Sequence, residues 1–407
     1  LSIGNNSYFC SSKRSDKIKE ALLSRIKVLD DYFDLLGKVG EGTFSTVHLA
    51  ALKRDPSRMF AVKHLVPTCH PTRIIRELQC LQTIGGQDNV IGVNVCLRSE
   101  DCVVFVMPYL PHQKFSSYVF KMDPAEVQLY MKHLLIALKR VHSFGIIHRD
   151  VKPSNFLYNR DTKQFLLIDF GLAQPVDELA PKNNVKNDKK RKRCDLNEVS
   201  LPVICGVFQV LDKPGTSRTR NQTTGGVFPQ PERRAPTSRR IRPCTCAGKS
   251  QICNGCMTRR APNAARAGTP GFRPPEVLLK YPHQTTAVDI WSAGVILISI
   301  LSGCSPFFRA LDDITALAEI ITVFGTDNVK TAAAKLGITV LCNENRKPYN
   351  LKSMCEKLRE RKFEGELLGI KFPDEAYDLL KKLLEINPKE RITAADALNH
   401  PFFSMEL

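Results

Sequence analysis

His148-Arg149-Asp150-Val151-Lys152-Pro153-Ser154-Asn155, with Asp169-Phe170-Gly171 close behind, is the stretch on which the reading of this chain turns. Asp150, Asn155 and Asp169 stand on two polar loops. Between the loops run the apolar segments Phe156-Leu157-Tyr158 and Phe165-Leu166-Leu167-Ile168. Those segments read as the two strands of a short hairpin that holds both loops on a rigid frame. A carboxylate so placed can accept the proton of an attacking hydroxyl. A second carboxylate and an amide oxygen are the hard donors that Mg²⁺ prefers. The inventory suits phosphoryl transfer from ATP.

In order and spacing, the two motifs resemble the catalytic loop and the metal-binding loop of eukaryotic protein kinases. A polar loop beside a buried hairpin accounts for either motif alone but not for both at this spacing. The resemblance implies Asp150 as the catalytic base, Asn155 and Asp169 as ligands of two Mg²⁺ ions, and Lys152 as the mark of the serine/threonine class. It implies an α+β, bilobal fold. The N-lobe would be a five-stranded antiparallel sheet with one main helix, and the C-lobe mainly helical.

Upstream, residues 17–30 place Ile18, Leu22, Leu23, Ile26 and Leu29 at helical spacing, which predicts one amphipathic helix packed on the small lobe. Gly40-Glu41-Gly42-Thr43-Phe44-Ser45-Thr46-Val47 reads as a glycine-rich hairpin whose backbone can approach phosphate oxygens, with Ser45 where a third glycine is usual. Ala61-Val62-Lys63 reads as the third strand. In the kinase reading, Lys63 meets the phosphates, and Val39, Val47, Ala61 and Leu157 enclose the adenine. A helix from His70 to Ile84 carries Glu77, placed to pair with Lys63. Met107 would limit the back of the pocket. Pro108 lacks an N–H, so the hinge donor to adenine is expected at Leu110 or nearby. From Asp123 to Phe144, the stripe Val127, Met131, Leu134, Leu135, Leu138 and Val141 predicts a long helix, started at Asp123-Pro124 and stopped at Gly145.

Downstream, Gly268-Thr269-Pro270-Gly271-Phe272-Arg273-Pro274-Pro275-Glu276 resembles the end of a kinase activation segment, but it arrives about 100 residues after Gly171, far beyond ordinary loop length. The intervening insert is rich in Pro, Ser, Thr, Asn and charge and is expected to be largely disordered. It holds Lys189-Lys190-Arg191-Lys192-Arg193, which reads as a nuclear import signal or a solvated charge run. Cys244-Thr-Cys246 and Cys253-Asn-Gly-Cys256 are cysteine pairs at turn spacing, able to close a structural tetrahedral Zn²⁺ site or to stand as four free thiols. Asp289 to Leu301 reads as a buried helix, and residues 313–325 as another. In the family, Asp289 anchors the catalytic-loop backbone and Glu276 pairs with Arg391. A second insert at about 327–372 reads as irregular. The boundaries are therefore 1–31 extension, 32–109 N-lobe, 110–173 first part of the C-lobe, 174–266 insert with a four-cysteine zinc knuckle at 244–256, and 267–407 the rest.

The net charge of +18 is uneven: residues 174–266 hold 19 Lys/Arg against 7 Asp/Glu. Charge gathered in one segment points to a localisation signal or docking arm, with no direct nucleic-acid readout expected. Fourteen cysteines without regular pairing suit a reducing compartment. No apolar run reaches membrane-spanning length, so no membrane role is expected.

Asp-Val-Lys-Pro-Ser-Asn-Phe-Leu-Tyr-Asn (150–159), Glu-Leu-Gln-Cys-Leu (77–81), Gly-Gly-Gln-Asp-Asn-Val (85–90), Met-Pro-Tyr-Leu (107–110), Arg-Ala-Gly-Thr-Pro-Gly-Phe-Arg (266–273), the two inserts and the cysteine pairs together resemble the cell-division-cycle-seven kinases. The resemblance implies a nuclear serine/threonine kinase that phosphorylates the MCM helicase to start DNA replication. It also implies a Dbf-four-type regulatory subunit in a heterodimer. Substrates of the family carry an acidic or phosphorylated residue after the target, which implies Arg266 and Arg273 as its readers, although the family's third arginine is Cys304 here. Thr269 is a candidate phosphosite, or the threonine that bonds Asp150 and Lys152. The alternatives are an acidophilic, casein-kinase-like enzyme active without a partner, a pseudokinase scaffold, and a nucleic-acid-binding protein working through its basic insert.

Overall fold

Alternating apolar residues from Phe33 onward build an antiparallel sheet of β1 (Phe33–Gly42), β2 (Ser45–Leu52), β3 (Asp55–Leu65), β4 (Val95–Ser99) and β5 (Cys102–Pro108), in the order β1-β2-β3-β5-β4. The structure is a computed structural model that describes residues 20, 22–42, 45–66, 70–100, 102–176, 266–363 and 370–407. The chain divides into two units, Leu1–Pro181 with Pro262–Leu407, and Lys182–Ala261. The second unit, with the run 189–193 and Cys244, Cys246, Cys253 and Cys256, lies outside the described residues.

Phe33, Leu35, Ala50, Phe60, Val62, Val104 and Val106 turn one face of the sheet into a core, and Leu22, Ile26 and Leu29 pack onto it. The N-terminal helix differs from the expectation of a single element. Ile26 leaves the helical region (φ −120°, ψ 80°) and divides the helical residues 22–25 from helix α1 (Lys27–Tyr32). Burial of all three apolar side chains against a twisted sheet wins over helix continuity. Ile18 lies outside the described residues.

On the other face sits α2 (Pro71–Thr83). Pro71 pre-sets the first turn, and Leu78, Cys80 and Leu81 face inward together with Glu77. The sheet gives way at Tyr109 to the C-lobe, built on α3 (Pro124–Ser143). Asp123 caps this helix, its carboxylate accepting from Glu126 N at 2.7 Å, and the six residues of the expected stripe are fully buried. The chain then forms β6 (Ile146–Ile147), the hairpin of β7 (Phe156–Asn159) and β8 (Gln164–Leu167), and β9 (Gln174–Pro175), which pairs with β6.

α4 (Ala287–Ser302) is buried at every residue, as its all-round apolar sequence requires. It ends at Gly303, whose φ of +71° only glycine takes readily and whose missing Cβ leaves room for the Phe363 ring. α5 (Asp313–Phe324), α6 (Thr326–Lys335), α7 (Leu351–Lys362) and α8 (Asp374–Leu383) complete the lobe. The reading of 327–372 as irregular is corrected by α6 and α7. Three successive alanines favour helix in α6, and the Asn350 side chain caps α7 by accepting from Ser353 N at 3.0 Å. Among the described residues, no helix is long and apolar enough to cross a membrane.

Candidate active site

The two lobes meet at a cleft of about 810 Å³. β3 delivers Lys63 to its roof, and α2 brings Glu77 opposite. Lys63 Nζ donates to Glu77 Oε1 at 2.5 Å and to Asp169 Oδ1 at 2.8 Å. Lys63 and Glu77 are buried, whereas the Asp169 side chain is 44% exposed toward the cleft. Burial alone would lower the Lys63 pKa, but the two carboxylates hold it above the ordinary lysine value. Burial, joined by the Asp169 charge, pushes Glu77 up against the pull of Lys63. Burial also works against Asp169, yet Lys63 overcomes it and brings its pKa down to about 2. One ammonium therefore bridges two carboxylates, and the more exposed of them is the more firmly ionised. Arg73, one turn before Glu77, donates through Nε to Gly171 O at 2.5 Å and ties α2 to the Asp169 loop.

The catalytic-loop stretch is held from beneath. Asp289, fully buried at the start of α4, accepts from His148 N and Arg149 N at 2.8 Å each and bonds His142 Nε2 at 3.0 Å. Burial opposes ionisation of Asp289, but these donors, His142 foremost, keep its pKa below the ordinary value. Arg149 and Asp169 both take left-handed backbone conformations (φ +69° and +68°) that cost non-glycine residues free energy. The Asp289 bonds fix the first of them. The Arg149 guanidinium reaches Gln174, and through NH2 Gln284 at 3.0 Å.

Asp150 lies at the centre of a closed network. Thr269 Oγ1 donates to its Oδ1 at 2.6 Å, Lys152 Nζ lies 2.9 Å from its Oδ2, and Asn155 Nδ2 donates to Oδ2 at 3.0 Å and to its carbonyl at 2.9 Å. Lys152 also donates to Thr269 Oγ1 at 2.8 Å. The Thr269 hydroxyl, the candidate phosphosite, is thus engaged by both neighbours. With its nitrogen so used, Asn155 has its amide oxygen left to face a cation.

Val39, Gly40, Gly42, Ser45, Val47, Ala61, Met107, Leu110 and Leu157 line the same cleft as Lys63, Asn155 and Asp169. Met107 is buried opposite Ala61 in the β3–β5 register. At the hinge, Tyr109 N donates to Met59 O at 3.4 Å, so that N–H is turned away and Leu110 is the next donor. Thr43 and Phe44, at the tip of the glycine-rich hairpin, lie outside the described residues.

The segment from Gly268 to Glu276 is anchored at its far end. Glu276 and Arg391 form a buried two-point ion pair (2.7 and 3.0 Å). Arg266 and Arg273 converge on one carboxylate, Asp313, at 2.6 and 2.9 Å, and Arg273 Nε donates to Gly268 O at 2.9 Å. Sequence reading missed Asp313, Arg73 and His142. The Asp312-Asp313 pair signals a helix cap, and Asp312 does cap α5, but nothing local pairs Asp313 with arginines about 40 residues upstream. The four-cysteine motif lies outside the described residues. Among those described, no three His, Cys, Asp or Glu side chains gather as a metal site.

Residues 33–189 and 253–403 match the family described as the protein kinase domain. The chain is 35% identical to the human cell division cycle 7-related protein kinase, over 94% of this chain and 92% of that protein. It is 33% identical to the Drosophila melanogaster non-specific serine/threonine protein kinase Cdc7, over 96% and 77%. To the Schizosaccharomyces pombe cell cycle protein kinase spo4 it is 30% identical, over 99% and 93%.

Proposed function

From the premise that this chain belongs to the protein kinase family, and within it to the cell-division-cycle-seven serine/threonine kinases, we propose that it phosphorylates serine or threonine followed by an acidic or phosphorylated residue. The observation that carries this reading is the convergence on one cleft of the Lys63–Glu77–Asp169 bridge and the Asp150–Thr269–Lys152 network.

The donor set fits ATP and Mg²⁺: a buried cation at the roof, and the oxygens of Asp169 and Asn155 below. Bound ATP–Mg²⁺ supplies the phosphoryl group and neutralises its charge. Lys63, positioned by Glu77, holds phosphate oxygens. Asp150 takes the proton of the acceptor hydroxyl, and Lys152 offsets charge building beside it. Arg266, 56% exposed, and Arg273 share a single carboxylate, so the cluster keeps one net positive charge for an acidic neighbour of the target.

In this reading the substrates are MCM helicase subunits, the activator is a Dbf-four-type regulatory subunit, and the site of action is the nucleus, addressed by the basic run 189–193. Cys244, Cys246, Cys253 and Cys256 would hold a structural Zn²⁺, because four soft thiolates in two pairs at turn spacing suit tetrahedral zinc. Transfer of labelled γ-phosphate to an MCM-derived acidic peptide tests the reading. Asp150→Asn is expected to lower the rate by about 10²–10⁴ without lowering thermal stability, and Asp169→Asn to abolish transfer. Wild-type rates in either variant would refute the residue roles. Strong activity of the lone chain would favour a partner-independent acidophilic kinase. Zinc analysis before and after Cys253→Ser/Cys256→Ser decides the knuckle: a parent without zinc removes it.

A further inference from the structure

Two large aliphatic side chains stand almost fully in solvent beside the arginine cluster. Leu311 and Ile314 are each 84% exposed. They flank Asp312, which caps α5, and Asp313, which holds Arg266 and Arg273. α5 buries Ala316, Ile320, Ile321 and Val323, whereas neither Leu311 nor Ile314 packs on the core. Single exposed aliphatics are ordinary on protein surfaces. A pair attached to the acceptor site by an unbroken chain of contacts is less so. Asp150 is bonded to Thr269, Gly268 adjoins Thr269, Arg273 bonds Gly268 O and Asp313, and Asp313 lies between the two aliphatics.

We propose that Leu311 and Ile314 form a docking surface for an apolar segment of the protein substrate, lying C-terminal to its phosphoacceptor. The direction rests on the acidic-neighbour reading above: if the arginines take the residue after the target, the chain beyond it leaves across the start of α5. Charge complementarity brings the acidic position to the arginines, and the aliphatic pair is the next surface the segment meets. Leu311 is two residues from Asp313, so the substrate need extend only about two to four residues past its acidic position. The partner is thus a Ser/Thr–acidic segment with leucine, isoleucine or a similar side chain shortly downstream.

The test uses the full-length chain with its regulatory subunit and three peptides. One carries an acidic residue after serine and aliphatic residues beyond, the second has serines in place of the aliphatics, and the third has alanine in place of the acidic residue. The wild type is expected to favour the first peptide over the second by about tenfold in kcat/KM. Leu311→Ser/Ile314→Ser should lose that preference while keeping the wild-type rate on the second peptide. Absence of preference in the wild type, or its survival in the variant, overturns the proposal. Equal loss on both peptides with unchanged thermal stability also overturns it, and would assign the pair to the regulatory subunit. The third peptide separates the two readings: a wild type indifferent to the alanine refutes the arginine readers while leaving the aliphatic comparison readable.

Discussion

Glu276→Ala should unfold this protein at markedly lower temperature, and the reason can be worked from one side chain. Arg391 NH1 bonds Glu276 Oε1 (2.7 Å) and Ala287 O (2.7 Å). Its NH2 bonds Glu276 Oε2 (3.0 Å) and Ile386 O (3.3 Å), and its Nε bonds Glu385 O (2.7 Å). The two side chains are 0% and 1% exposed, so water cannot replace a lost partner. Removing the carboxylate leaves a buried guanidinium with two unmet N–H groups, at a cost of about 3–5 kcal/mol. At roughly 2–4 °C per kcal/mol, Tm should fall by about 6–20 °C. Arg391→Ala should cost more, because it strands the carboxylate and also three carbonyls. The double variant should fall well short of the sum of the two single losses, with a coupling energy of about 2–3 kcal/mol. Scanning calorimetry or denaturant titration of the four proteins gives these values. A loss under about 1 kcal/mol for Glu276→Ala, or additivity in the double variant, would refute the reasoning.

Asp289→Asn should cost about 2–4 kcal/mol and slow phosphate transfer, since an amide cannot accept from His148 N, Arg149 N and His142 at once; thermal unfolding with steady-state kinetics checks both. Gly294→Ala places a methyl 2.7 Å from a Leu384 methyl, and overpacking of about 1–3 kcal/mol should outweigh a helix-propensity gain of about 1 kcal/mol, so denaturant titration should show net destabilisation. Asp169 has a folded pKa of about 2, depressed from its ordinary 3.8, so its stabilising contribution is complete above about pH 4 and disappears as pH falls toward 2. The stability difference between wild type and Asp169→Asn should therefore be flat from about pH 5 to 8 and shrink only below about pH 4. A change within the flat range, followed by thermal melts, would contradict the assignment.

Much of the site is legible in the chain because its parts are local. The spacing of Asp150, Asn155 and Asp169 around an apolar hairpin, the buried stripe of α3 and the all-round apolar α4 follow from periodicities of two and 3.6 residues, which any window of sequence displays. The break at Ile26 and the helices α6 and α7 are not legible. The first depends on the sheet surface beneath it, and the others on short, alanine-rich or polar segments whose helicity is settled by packing and capping. Pairings across distance belong to the tertiary structure alone. Asp313 with Arg266 and Arg273, Arg73 with Gly171, and His142 with Asp289 join residues about 40, 100 and 150 positions apart. Short-range pattern specifies which segments fold and which faces they bury. The charges that meet are decided only when those faces close and desolvation makes an unpaired group costly.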